Sequence, residues 1–221
     1  MKDDTNKHSL NPLDAEGFEH KRSMLWRRRL FEAEAGLTRY VVELRSGAHL
    51  HSLVQLKESI FADLPRLEDE EGWKRVFFRG QALMEAYVVK HFSLEELSEW
   101  AKSNSAVYNA VDEQPKQDAR VPLQRLKDQA ELYGSDSEWV ENSRDTATLH
   151  INHCAIWDYR EKARARGVEI TLDAPCEYCV PATHSMVRSK GLSPEHQLLQ
   201  DKSSHGCIWT AQRSQESEDP S

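Results

Sequence analysis

The sequence predicts an α+β fold, in which a helical N-terminal part packs on a small antiparallel sheet with helices in the C-terminal part. Two patterns support this prediction. From residue 15 to Tyr133, apolar residues recur at spacings of three and four, as on the buried faces of amphipathic helices. After Gly134, residues 146–154 alternate between apolar and polar types, as in a half-buried strand. No linker rich in Gly or Ser separates the two parts, which favours one packed unit.

Helices account for the first half of the chain. Apolar residues at helical spacing occur in three segments, 25–31, 50–60 and 73–91. Ser93 and Glu96 have the spacing of a capping box, which predicts a helix running to about Lys102. Residues 103–121 contain Asn, Pro and many charges, so an irregular segment is expected there. Pro122 then begins a helix that ends at Tyr133, next to a glycine.

Strands and helices are mixed in the second half. The predicted strands cover 139–142, 146–154, 195–202 and 207–212, and the predicted helices cover 157–166 and 175–190. Pro181 is expected to break or restart the second of these helices in its first turn. The division that follows is a disordered tail (1–14), a helical part (15–134), a cysteine-containing α+β part (135–213) and a second disordered tail (214–221).

Charge and hydropathy exclude several classes of function. Lys and Arg number 29 against 37 Asp and Glu, for a net charge of −8, and this acidic balance disfavours binding to nucleic acid. The basic run at residues 20–29 is interleaved with acidic residues, which indicates a solvated helix face. No apolar stretch is long enough to span a membrane and the N-terminus lacks the apolar core of a signal peptide, so a cytoplasmic protein is expected. The sequence is compatible with a homo-oligomer as well as with a monomer.

The four cysteines form the strongest chemical pattern. Cys154, Cys176, Cys179 and Cys207 all lie at predicted element boundaries. The two-residue gap between Cys176 and Cys179 allows both sulfurs to reach one tetrahedral ion, and a helix start lowers the pKa of a thiol. The four thiols are therefore a candidate metal-ligand set. For Cys154 and Cys207 taken singly, a role as small buried apolar residues is an equal alternative.

Histidines near the cysteines are candidate acids, bases or ligands. Period-two alternation places His150, Asn152 and Cys154 on one strand face, so His150 is the best candidate for a general base or a ligand. His184 and His205 lie close in sequence to Cys179 and Cys207, and either residue fits the same site or the protein surface equally well.

The C-terminal part resembles the L-2-amino-thiazoline-4-carboxylic acid hydrolase family over residues 139–212. The resemblance is carried by His153–Cys154–Ala155–Ile156–Trp157, a helix and Gly167, then Cys176–Glu177–Tyr178–Cys179, a helix and Gly191, and finally Ser204–His205–Gly206–Cys207–Ile208–Trp209. Residues 180–184 replace the acidic residue that the family pattern has after the cysteine pair. A weaker similarity exists to small-molecule sensor domains of the 4-vinyl reductase type.

The resemblance implies a hydrolase that cleaves a C–N bond of a small cyclic or amidine-like substrate. In this hypothesis His150, Cys176 and Cys179 are catalytic, and Cys154, Cys176, Cys179 and Cys207 bind a metal, either zinc or, alternatively, iron or an iron–sulfur cluster. The alternative hypothesis is a non-catalytic small-molecule or redox-sensing module whose cysteines hold zinc or such a cluster. A third is a structural domain with buried thiols.

Overall fold

A computed structural model describes residues 12–111, 115–200 and 205–213, and it confirms the predicted α+β class. The described residues form the helices α1 (Pro12–Arg39), α2 (Leu50–Phe61), α3 (Glu70–His91), α4 (Leu97–Val111), α5 (Arg120–Tyr133), α6 (Ala155–Ala165) and α7 (Cys176–Ser189), and the strands β1 (Asp136–Asn142), β2 (Thr146–His153), β3 (Leu192–Gln200) and β4 (His205–Arg213). A π-helical turn, Tyr40–Leu44, continues α1. None of the described helices combines the length and apolar character that a membrane span requires.

The four described strands form one antiparallel sheet in the order β1-β2-β4-β3. In its centre Ile151 of β2 pairs with Cys207 of β4, and Leu198 of β3 pairs with the same cysteine. Directly paired residues place their side chains on the same face. Ile151, Cys207 and Leu198 therefore share the inner face of the sheet, which the helices cover.

Two clusters of buried apolar side chains hold the molecule together. The first lies mainly among α1 to α4 and contains Trp26, Leu30, Met84 and Trp100, together with Leu132 of α5. The second joins the sheet to α5 and α7 through Leu123, Leu126, Leu149, Val187 and Trp209. Helix α5 contributes to both, and Tyr178 of α7 packs against the first cluster. The predicted boundary between residues 134 and 135 therefore falls beside a helix that both clusters share.

The segment expected to be irregular is helical in most of its length. Helix α4 runs to Val111, because the polar residues Ser103, Asn104 and Ser105 are buried between neighbouring helices instead of solvated. The side-chain amide of Asn104 hydrogen-bonds the Tyr178 hydroxyl of α7. A Cβ on Gly36 of α1 would overlap with Oδ1 of Asn104. Only glycine allows α1 and α4 to approach this closely.

The C-terminal elements follow the prediction in type and order, although β1 begins at Asp136, three residues before its predicted start, and β4 at His205, two residues before its predicted start. Helix α7 continues through Pro181, which was expected to break it. Strand β3 begins at Leu192, three residues before the predicted start. Of the predicted disordered tails, residues 1–11 and 214–221 lie outside the described residues, while residues 12–14 belong to α1.

Candidate functional site

A cavity of about 180 Å³ lies between the inner face of the sheet and the helices. Its walls come from α1, α3, α4, α5, α6 and α7 and from strands β2, β3 and β4. The apolar part of the lining includes Phe77, Ile151, Met186 and Leu198, and two tryptophans, Trp157 and Trp209, belong to the same wall. The lining of the cavity is thus mostly apolar, with a few polar groups at defined positions.

All four cysteines line this cavity. Cys154 is the residue before α6, Cys176 is the first residue of α7, Cys179 lies one turn later, and Cys207 is on the inner face of β4. The N–H of Cys154 donates to the carbonyl of His205 at 2.7 Å, which joins the end of β2 to the start of β4. The thiols therefore lie together because two strand ends and one helix start meet here.

Burial raises the pKa of every one of these thiols. The pKa of Cys207 is raised to about 12, and those of Cys154, Cys176 and Cys179 are also raised, with burial as the largest cause in each case. The expected lowering of the thiol pKa at a helix start is not found at Cys176, because burial raises this pKa more than the hydrogen bond from Trp157 and the charge of Arg160 lower it. At neutral pH the cavity therefore contains thiols and not thiolates.

The part of the chain that the structure describes contains no preformed cluster of metal ligands. Among the residues that the structure describes, no three Cys, His, Asp or Glu side chains are placed so that they could hold one ion. Zinc, iron or an iron–sulfur cluster at Cys154, Cys176, Cys179 and Cys207 therefore stays a prediction, which elemental analysis tests.

His150 lies away from the cavity. Along β2 the buried positions are Ala147, Leu149 and Ile151, so His150 is on the other face of the sheet, where its Nδ1 is 3.9 Å from Oε1 of Glu138. The predicted common face of His150 and Cys154 does not form, because β2 ends at His153 and the chain turns into α6.

The other histidines near the cysteines are also outside the wall. His184 hydrogen-bonds His196 at 2.9 Å, and His205 stacks on Trp157 with ring centres 3.9 Å apart. Within the described chain, no histidine lines the cavity. An acid or base in this cavity must therefore be a residue of another type.

A buried ion pair in the cavity wall was not predicted from the sequence. Nη2 of Arg160, on α6, donates to both carboxylate oxygens of Glu85, on α3, at 2.6 and 2.8 Å. Gln81 donates to Oε1 of the same carboxylate at 3.1 Å, and Glu85 is only 1% exposed. Burial raises the pKa of Glu85, and Arg160 opposes this shift without cancelling it. The sequence signal that could have revealed this ion pair is the acidic residue Glu85, which lies among Met84 and Tyr87 in an otherwise apolar helix segment.

A second charged cluster lines the same cavity from α1 and α5. Glu32 accepts hydrogen bonds from Arg28, Arg29 and Arg125, and Arg125 also lies over the Tyr108 ring, 4.0 Å from its centre. Burial favours the neutral form of Glu32, but the three guanidinium groups outweigh it and lower the pKa of this carboxyl. The basic run was expected to be solvated, yet Arg29 is buried in the cavity wall.

Comparison with known proteins shows similarity of fold only. No protein-family model and no curated protein matches the sequence. Among solved structures, the H-NOX protein of K. algicida in its Fe(II) unliganded form has a TM-score of 0.40 and 8% identity, covering 84% of this chain and 96% of that one. An alanine-to-glycine variant of that protein has a TM-score of 0.41 and 8% identity, covering 85% of this chain and 96% of that one.

Proposed function

We propose that this protein binds a small organic molecule in the cavity between the sheet and the helices. The observation that carries the proposal is the cavity itself, whose volume of about 180 Å³ exceeds the roughly 150 Å³ of apolar cavities that hold benzene. Ligand sites typically combine an apolar and aromatic wall with a few placed polar groups, which describes this lining. Of the alternatives from the sequence, the non-catalytic small-molecule module agrees best with this geometry.

The neutral thiols support a binding role. With raised pKa values, Cys176 and Cys179 are weak nucleophiles and instead extend the apolar wall. The tryptophans in the wall, Trp157 and Trp209, make occupation of the cavity measurable, because a ligand beside an indole changes its fluorescence.

The test is calorimetric titration of the protein with benzamide and 1-naphthamide, followed in parallel by tryptophan fluorescence. The Ala182→Phe variant fills the cavity from α7, and Ala165→Phe places the same ring on an exposed part of α6 as the matched control. We expect binding to the wild type and to Ala165→Phe, and at least tenfold weaker binding to Ala182→Phe. Equal affinities in all three proteins would place the ligand elsewhere and overturn the proposal.

A second candidate is hydrolysis of a C–N bond, and one observation favours it. The carboxyl of Glu85 lines the cavity with a raised pKa, so it can exchange a proton at a pH closer to neutral than an ordinary carboxyl. Glu85 would then perform the acid–base role that the sequence assigned to His150. Cys176 and Cys179 would contribute to substrate binding.

Incubation with 2-amino-thiazoline-4-carboxylate, followed by ¹H NMR of the ring protons, tests this second candidate. Turnover that is retained in His150→Gln and lost in Glu85→Gln would support the role of Glu85. Absence of ring opening by the wild type at high enzyme concentration would contradict this hydrolase, while binding in the cavity would be judged by the titration above.

A further inference from the structure

The charge of the cavity wall is opposite to the charge of the protein. The chain carries a net charge of −8. Three guanidinium groups, those of Arg29, Arg125 and Arg160, line the cavity, and Glu85 is the sole acidic residue among the described lining residues. When Glu32 is included, three cationic groups still face two carboxylates. The raised pKa of Glu85 further reduces the negative charge at this wall.

The polar atoms of the wall that lack a partner are all hydrogen-bond donors. Within the described residues, Nη1 of Arg160 is buried in the cavity wall without a hydrogen-bond partner. Nε2 of Gln129 and Nε1 of Trp209 are buried in the same wall and make no hydrogen bond of normal geometry, although they lie near Tyr133 and Cys207. Arg160 is 9% exposed, so its free N–H groups are also shielded from bulk water. A buried donor without an acceptor destabilises a protein, most strongly when it is charged. Such a group indicates an acceptor that binds there.

We propose that the ligand is a small organic anion, a carboxylate on an apolar or aromatic body, with Arg160 as its anchor. This inference rests on the proposed binding function and names the class of ligand. The guanidinium has a fixed position because Nη2 is held by Glu85, which leaves Nη1 to donate to the carboxylate. The body of the ligand packs against the apolar and aromatic wall. Gln129 and Trp209 supply further donors to its oxygens.

Matched ligand pairs test the inference. Benzoate and benzamide have the same shape and differ in charge, and 1-naphthoate and 1-naphthamide form a larger pair of the same kind. Charge-assisted hydrogen bonds contribute more than neutral ones, so the wild type is expected to bind each carboxylate at least about tenfold more tightly than its amide. Isothermal titration gives the four dissociation constants.

Variants connect the preference to Arg160. Arg160→Gln leaves Glu85 buried without its partner, so the double variant Arg160→Gln/Glu85→Gln, which removes both charges, guards against a simple folding defect. The matched control is Arg166→Gln, an exposed arginine just after the same helix. In the double variant the dissociation constants of acid and amide are expected to agree within about twofold, whereas Arg166→Gln keeps the wild-type preference.

The outcomes distinguish the two proposals. Amides that bind the wild type as tightly as the carboxylates overturn the anion inference and leave the cavity function intact. A preference for carboxylates that persists in the double variant also overturns it, because the anchor then lies elsewhere. If no member of either pair binds, both the binding function and the anion inference fail.

Discussion

Two buried carboxylates near one cavity have opposite environments: Glu85 lines the cavity, and Glu32 lies behind the lining residues Arg29 and Arg125. Glu32 accepts hydrogen bonds from three arginines, and its pKa is lowered from the ordinary value of 4.5. Glu85 has one arginine partner and one amide donor, and its pKa is raised from the same value. The difference arises because burial penalises both charges, and only at Glu32 do enough cations surround the carboxylate to overcome that penalty.

The two charge clusters therefore differ in whether their hydrogen bonds are complete within the protein. At Glu32 the charges are balanced within the protein, and the cluster joins α1 to α5. At Glu85 the pairing is incomplete, since Nη1 of its partner Arg160 makes no hydrogen bond in the described chain. A ligand that accepts a hydrogen bond from Nη1 of Arg160 would satisfy this buried donor.

The largest expected effect is that of Glu32→Gln on stability. This change removes the only described carboxylate between Arg29, which is buried, and Arg125, which is partly buried, and uncompensated buried charge costs about 3–5 kcal/mol. Urea unfolding monitored by circular dichroism gives the free energy. The control is Glu43→Gln, which removes an exposed partner of Arg39 and should change stability by about 0.5 kcal/mol or less. Equal effects of the two changes would contradict a structural role for Glu32.

Glu85→Gln is expected to destabilise the protein less, by about 1–2 kcal/mol. The amide oxygen still accepts from Arg160, and the change also removes the desolvation that raises the pKa of Glu85. The same urea titration measures it. A loss as large as that of Glu32→Gln would show that the two carboxylates have equivalent structural roles and would remove the distinction drawn between them.

The pH dependence of these two variants should have opposite signs. The folded pKa of Glu32 is lowered, so its stabilisation is present above about 4.5 and is lost as the pH falls through the folded value. The folded pKa of Glu85 is raised, so the native state binds its proton more tightly and stability from this group is lost as the pH rises from 4.5 through the folded value.

Unfolding free energies of the wild type, Glu32→Gln and Glu85→Gln over this pH range test the prediction. The advantage of the wild type over Glu32→Gln should grow with pH, and its advantage over Glu85→Gln should shrink. A tenfold difference in proton affinity between the folded and unfolded chain changes the free energy of unfolding by about 1.4 kcal/mol. Parallel curves for the two variants would show that the two carboxyls titrate alike.

The smallest expected effect concerns the thiols that share the cavity. Because burial raises the pKa of Cys179 and Cys207, alkylation by iodoacetamide at pH 8 should be slower in native protein than in urea. Binding of a cavity ligand should slow it further. Native thiols that react as quickly as unfolded ones would indicate that the wall around Cys179 and Cys207 is open to water.

Local patterns in the sequence determined the fold class and most of the elements. The helical spacing up to Tyr133, the alternation at 146–154 and the cysteines at element boundaries are properties of neighbouring residues, and backbone geometry converts them directly into helices and strands. The four cysteines were predicted as one candidate metal-ligand set, with buried structural thiols as the alternative for Cys154 and Cys207. They line one cavity, and metal binding there stays a prediction.

Only the tertiary structure decided which polar residues lie in the cavity wall. His150 faces away from the cavity because it alternates with the buried Leu149 and Ile151 along β2, and Arg29 is buried although it belongs to a run of charges. Glu85 and Arg160 are 75 residues apart, and their pairing depends on how α3 and α6 pack. The pKa of each group depends on burial and on distant charges, and neither quantity is a property of local sequence.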